Sequence, residues 1–242
     1  MKIDLHTHTI LSGHAYSTVK ENIDQAEARG LTAIGITDHG PTMPGVPKDP
    51  FHVVNMSSAV PNYVGNIRIV HGFEANIIDN MGRTDLPLEY SNSVEYILGA
   101  LHSICILPRN KKENTEAIIN AMAMGYIDAV AHPDDPTFEL DYEALCDGAV
   151  EYKVALEVNN TSLKGTVRKN CAPNTRKMLE IAKEKGVYIT AGSDSHFYLS
   201  VGEIDQSTNL LEAVNYPKDK IITNSLEQLE LFLKIRKEER TI

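Results

Sequence analysis

Asp4-Leu5-His6-Thr7-His8-Thr9 ends the first β-rich run of the chain, and it carries two histidines spaced i, i+2. In an extended backbone such residues point to the same side, so both imidazoles can reach one ion. The pattern recurs. His39 closes the run Ala33–Asp38, Glu74 closes Arg68–Glu74, and His102 follows Tyr96–Leu101. His132 follows Ala129–Ala131, and Asp194 and His196 follow Tyr188–Gly192. Of the seven inferred strands, opening with Lys2–His6, only Ala155–Val158 lacks an imidazole or carboxylate at its end.

Helical stretches separate these strands. Thr18 and Glu21 have capping-box form before a helix that stops at Gly30. Asn114–Met124 stops at Gly125, Pro173 opens a helix ending at Gly186, and Ser225-Leu226-Glu227-Gln228 opens a last one. Alternation of this kind predicts a parallel α/β barrel, in which all strand ends share one face. Two segments are expected to be loops. Gly40–Gly65 holds five prolines, too many for regular structure, and Thr161–Ala172 carries Lys164, Arg168 and Lys169.

The 242 residues fit one domain, with 42% apolar residues for a core. No apolar run is long enough to span a membrane. Cys105, Cys146 and Cys171 are odd in number and widely spaced, as expected of reduced thiols in the cytoplasm. The formal net charge of −10 argues against binding long nucleic acid. It does not argue against a small anion, because metal ions can dominate the field inside one pocket.

A single histidine at a strand end is commonly a hydrogen-bonded loop residue; the joint placement is what argues for metal. His14 joins the set in the loop after the first strand. Seven imidazoles and two carboxylates are too many donors for one ion at roughly four to five each, and match two or three. Three divalent ions against two carboxylates leave about +4, a field suited to a phosphate dianion. Metal ions also lower the pKa of bound water to roughly 7. His52 and His71 match no ligand position. Asp38 could orient an imidazole or serve a turn, and Asn159 and Asn160 could face the pocket or cap a turn. Arg109, Lys111, Lys112, Lys164 and Arg168 read first as surface charges.

Asp4–Thr9, Ile36-Thr37-Asp38-His39-Gly40, Gly72-Phe73-Glu74-Ala75-Asn76 and Gly192-Ser193-Asp194-Ser195-His196 resemble the motifs of the PHP (polymerase and histidinol phosphatase) superfamily. His14-Ala15-Tyr16-Ser17-Thr18 and Asp38-His39-Gly40-Pro41 bring the likeness nearest to the YcdX-type phosphatases. The resemblance implies a distorted seven-stranded (β/α)7 barrel, TIM-barrel-like, as a single PHP domain over residues 1–242. It implies three divalent ions, zinc first, with manganese and iron as alternatives. His6, His8, Glu74 and Asp194 would hold one ion. Glu74, His102 and His132 would hold a second, with Glu74 bridging as the catalytic carboxylate, and His14, His39 and His196 a third. The implied activity is phosphate-monoester hydrolysis by a metal-bridging hydroxide on a small phosphorylated substrate.

Three other readings stand beside it. A PHP-type nuclease or nucleotide phosphodiesterase would share the ligands. An amidohydrolase also opens with H-x-H, but usually bridges two metals with a modified lysine. A metal-binding module without turnover would be expected to have lost ligands. Self-association as a homo-oligomer is compatible with the sequence, though no feature argues for it; the substrate-binding residues are not legible.

Overall fold

The computed structural model describes residues 1–91 and 93–240. Among them, seven parallel strands form a nearly closed barrel. These are β1 (Ile3–Asp4), β2 (Ala33–Ile36), β4 (Ile67–Asn76), β5 (Tyr96–Ala100), β6 (Ala129–Val130), β7 (Ala155–Asn159) and β8 (Ile189–Gly192), hydrogen-bonded in that order. The two ends of the sheet meet at their C-terminal rim, where Asp194 N donates to His6 O and His8 N to Ser195 O, both at 2.9 Å. The expected strands are therefore present, within a residue or two at their ends. A short additional strand, β3 (Tyr63–Val64), pairs antiparallel with β4.

The strands are buried on both faces, which is why they read as near-continuous apolar runs. Period-2 alternation divides their side chains. Phe73, Ala75, Ile97, Leu156 and Val158 pack with the helices α4 (Lys111–Ala123), α5 (Tyr142–Glu151) and α7 (Ala172–Lys185). Val70, Tyr96, Leu98, Ala129 and Ala155 turn the other way and cluster with Leu229, Phe232 and Leu233 of α9 (Leu226–Arg240). On β4 and β7 that same inner face continues upward as Glu74, Asn76, Glu157 and Asn159. The barrel interior is thus apolar low down and ionisable at the rim.

Capping follows the sequence signals. Thr18 opens α1 (Val19–Ala28) with the reciprocal bonds to Glu21, and Gly30 follows with φ +67°. Gly186 ends α7 in the left-handed region. The Gly40–Gly65 expectation is corrected: α2 (Phe51–Ala59) and β3 lie inside that proline-rich stretch. Four of its prolines precede α2 and the fifth follows it, so none interrupts a helical bond. The start of the Thr161–Ala172 segment is likewise helical, as α6 (Asn160–Lys164), capped by Asn159. Two further α-helices, α3 (Leu88–Ser91) and α8 (Asp205–Ala213), and four short 3-10 turns complete the described elements. No helix among the described residues is long and apolar enough to cross a membrane.

Candidate metal centre

The rim brings together all nine predicted ligands. Glu74, fully buried on β4, is the centre of the arrangement. Its Oε2 faces His39 Nδ1 at 2.7 Å, His6 Nε2 at 3.3 Å and His8 Nε2 at 3.4 Å. Its Oε1 faces His132 Nε2 at 3.0 Å and His102 Nε2 at 3.5 Å. Asp194 Oδ1 lies 3.3 Å from His8 Nε2 and 3.6 Å from His6 Nε2. His14 Nε2 and His196 Nε2 are 3.0 Å apart at the outer edge. Three-donor sets within reach of one ion are His6, His8 and Glu74; His39, Glu74 and His102; and His8, His39 and His196. His39 thus stands between the Glu74 carboxylate and the outer pair.

The hydrogen-bond network assigns the ring tautomers. Ser12 Oγ donates to Asp38 Oδ1 at 2.5 Å, so it can only accept from His8 Nδ1 and from His39 N. That leaves the His8 Nε2 lone pair turned to the centre. Asn76 Nδ2 donates to Asp85, so its Oδ1 accepts from His102 Nδ1 at 2.8 Å and again leaves Nε2 free. His196 Nδ1 donates to the Asp194 carbonyl. His6 Nδ1 bonds Glu157 Oε1 at 2.8 Å. Partner groups behind the ligands fix their orientation and raise their basicity.

This geometry fits a cation. His6 Nε2, His8 Nε2, His39 Nδ1 and Glu74 Oε2 are buried without a hydrogen-bond partner, all aimed at one another. Buried polar atoms rarely stay unpaired, and a divalent cation among these four would satisfy them together. His132 (φ +32°) and Asp194 (φ +55°) also hold left-handed backbone, which L-residues adopt at a cost of order 1–3 kcal/mol and which clusters at functional sites.

Burial is the largest influence on Glu74 and pushes its pKa up. The imidazoles of His39, His6, His102 and His132 together overcome that and hold it well below the usual range. Asp194 is lowered well below its ordinary value in the same way, burial opposing and His6 and Arg168 prevailing. Burial lowers His8, His14, His102 and His196, keeping them in the neutral form that binds metal. His6 is the exception: burial lowers it, but Glu157, Glu74 and Asp194 raise it well above 6.5.

Several residues at the site were not singled out by their sequence, or were weighed too lightly. Arg168, read as a surface charge, is corrected: it is largely buried and donates to Asp194 Oδ2 at 2.8 Å. A lone cation in a basic loop gives no periodic sign of facing inward. Glu157 does carry a sign, a carboxylate inside an apolar strand; it accepts from His6 Nδ1 and, at 2.8 Å, from His132 N. Asn76, two residues after Glu74 on the same face, could have been found by that spacing. Asp38 acts on His8 through Ser12, as the ligand-orienting alternative expected. Asn159 caps α6 and also donates to Glu157 and Asp194. Asn160 accepts from Gln206 N and Ser207 N, tying α6 to α8. Arg109, Lys112 and Lys164 pair with surface carboxylates. His52 sits on α2 and His71 low on β4, neither at the rim.

Comparison with known proteins gives a consistent set. The PHP domain family profile matches residues 4–190. A probable phosphatase of Acetivibrio thermocellus is 42% identical, over 98% of this chain and 96% of its own length. One of Clostridium acetobutylicum is 38% identical, over 97% and 95%. Among solved structures, histidinol phosphate phosphatase from Lactococcus lactis, complexed with zinc, L-histidinol and phosphate, superposes with a TM-score of 0.63. It is 16% identical, with 89% of this chain and 94% of that one covered. A putative histidinol phosphatase from Listeria monocytogenes gives 0.64 at 15% identity, covering 85% and 99%. At these identities the structural likeness establishes the fold alone.

Proposed function

The chain belongs to the PHP domain family, and from that premise we propose that it is a phosphatase that hydrolyses phosphate monoesters at a centre of three divalent ions. The ligands are His6, His8, His14, His39, Glu74, His102, His132, Asp194 and His196. Zinc is the first choice, because the Lactococcus relative of the same fold is complexed with it; manganese and iron suit the same donors. One observation supports the reading: the two oxygens of Glu74 face two different groups of imidazoles, as a carboxylate shared by neighbouring ions would.

Bound ions would polarise the phosphoryl oxygens and activate water at neutral pH. The chain supplies orientation and charge. Glu74 and Asp194, both held anionic, balance part of the cationic charge and leave an excess for a phosphate dianion. Arg168 holds the outer oxygen of Asp194, so that Oδ1 stays turned to His6 and His8. Glu157 and Ser12 keep the His6 and His8 rings in the metal-binding orientation.

Residues 1–242 we take as one PHP domain, because α9, beyond the matched 4–190, packs Leu229, Phe232 and Leu233 among barrel residues. A cytoplasmic location belongs to the same proposal, on the reading of Cys105, Cys146 and Cys171 as reduced thiols.

The test is phosphate release from phenyl phosphate by protein reconstituted in turn with zinc, manganese and ferrous iron. A bis-aryl phosphodiester and an amide or lactone run alongside. Monoester turnover in preference to the others is expected. Turnover of the diester or the amide alone would replace this reading with a nuclease or an amidohydrolase.

A further inference from the structure

The loops that follow β5, β6 and β7 enclose a cavity of about 500 Å³ beside the histidine cluster. His102 lines it, and so does Arg168, whose guanidinium joins Asp194 of the cluster to Asp135 of the cavity wall. A larger cavity of about 750 Å³ lies at the opposite end of the barrel, lined by Met1, Lys2 and Thr32 and remote from every predicted ligand. The smaller one is the one in contact with the chemistry.

Its walls are of two kinds. Met43, Ile104 and Val167 are apolar, and Ile104 and Val167 stand 64% and 72% exposed on loops with no core to fill. Apolar groups gathered at the mouth of a polar site mark a surface that is covered when the site is in use. The charged groups are largely engaged already: Asp135 Oδ1 accepts from Thr137 N, and Arg168 is held by Asp194. Lys169 differs, since among the described residues its ammonium has no ion-pair partner, and it lines the same cavity.

We propose that this cavity receives the alcohol portion of the ester and selects a ring-bearing, apolar leaving group that carries a second anionic substituent. Ile104 and Val167 cover the ring, and Lys169 meets the anion. The proposal rests on the phosphatase reading above, since it needs the phosphoryl group anchored beside His102. A polyol leaving group would leave the apolar walls of Ile104 and Val167 in contact with water.

Three monoesters whose leaving alcohols have similar basicity test it: benzyl phosphate, 4-carboxybenzyl phosphate and glycerol 1-phosphate. Benzyl phosphate should exceed glycerol 1-phosphate in kcat/KM by about tenfold, the ratio expected when roughly 60 Å² of apolar surface leaves water. The carboxylated ester should gain about two- to fivefold more, as a partly exposed charge pair gives. Ile104→Asp and Val167→Asp should each bring the benzyl-to-glycerol ratio towards one. Lys169→Ala should remove the carboxylate advantage and leave the benzyl-to-glycerol ratio in place. Each ratio is read within one enzyme, so a loss of folded protein cancels. Equal turnover of all three esters by the unmodified enzyme overturns this proposal and leaves the phosphatase reading standing. So does a benzyl preference unmoved by both aspartates, or a carboxylate advantage that survives Lys169→Ala. Turnover of none of the three overturns it as well, and the phenyl phosphate assay then decides whether the phosphatase reading falls with it.

Discussion

Five imidazole nitrogens lie within 3.5 Å of the Glu74 carboxylate, which has no exposure to water. Glu74→Gln keeps the shape and removes the charge, so phosphate release should fall below detection while the melting temperature moves by only a few degrees. Near-normal turnover in that variant would count against a bridging role. Glu157→Gln probes orientation instead: the amide oxygen can still accept from His6, but without the charge. A loss of about 10–100-fold in metal affinity is expected, read by competition with a chromogenic chelator. The pH dependence has a worked direction. His6 is raised well above 6.5, so near neutrality an incoming ion must displace its proton. Affinity for zinc should therefore rise with pH by up to about tenfold per unit while His6 remains protonated, and activity should be lost on acidification below about pH 6. His8 and His102, lowered by burial, resist that loss rather than cause its onset. A zinc affinity flat between pH 6 and 8 would remove His6 from the ligand set.

At the level of elements, the inner-face periodicity of β4 and β7 places the acids, and Gly192 lets β8 come close enough to use them. A Cβ on Gly192 would overlap His6 Cβ and Glu157 Oε1. Gly192→Ala should cost about 1–3 kcal/mol of stability in urea and lower metal content with it; a stable variant with full metal would mean the two strands can part without harm. The strands were legible because buried parallel strands write themselves as apolar runs. Most of the candidate ligands were legible because they end or follow such a run; His14, in the loop after β1, is the exception. Prolines hid α2, since their number reads as loop even when all lie outside the helix. Arg168 was hidden because Thr166, Val167 and Lys169 around it show no alternation that separates inside from outside. Glu157 and Asn76 were within reach, since each shares an inner face with residues already placed there.

For the whole molecule, α9 closes the apolar base of the barrel, where buried Asp128 pairs with Arg236 and Arg240. The proposed metal centre sits at the opposite end, so loss of metal should loosen the rim first. Elemental analysis after reconstitution should give two to three ions per chain, and chelation should lower the melting temperature, since ions that bind only the folded chain stabilise it. Protein that takes up no metal would contradict the centre altogether.

The seam between β1 and β8 has a consequence for assembly. Ser193 hydroxyl bonds the His6 carbonyl across a sequence separation of 187 residues, and the neighbouring Asp194 and His8 amides bond across the same junction. An ion that reaches a growing chain early would therefore meet His6 and His8 without Asp194. With the proposed ligand set, full coordination would wait until Asp194 and His196 have been added, and a bound cation would act as the latch that fastens the ring.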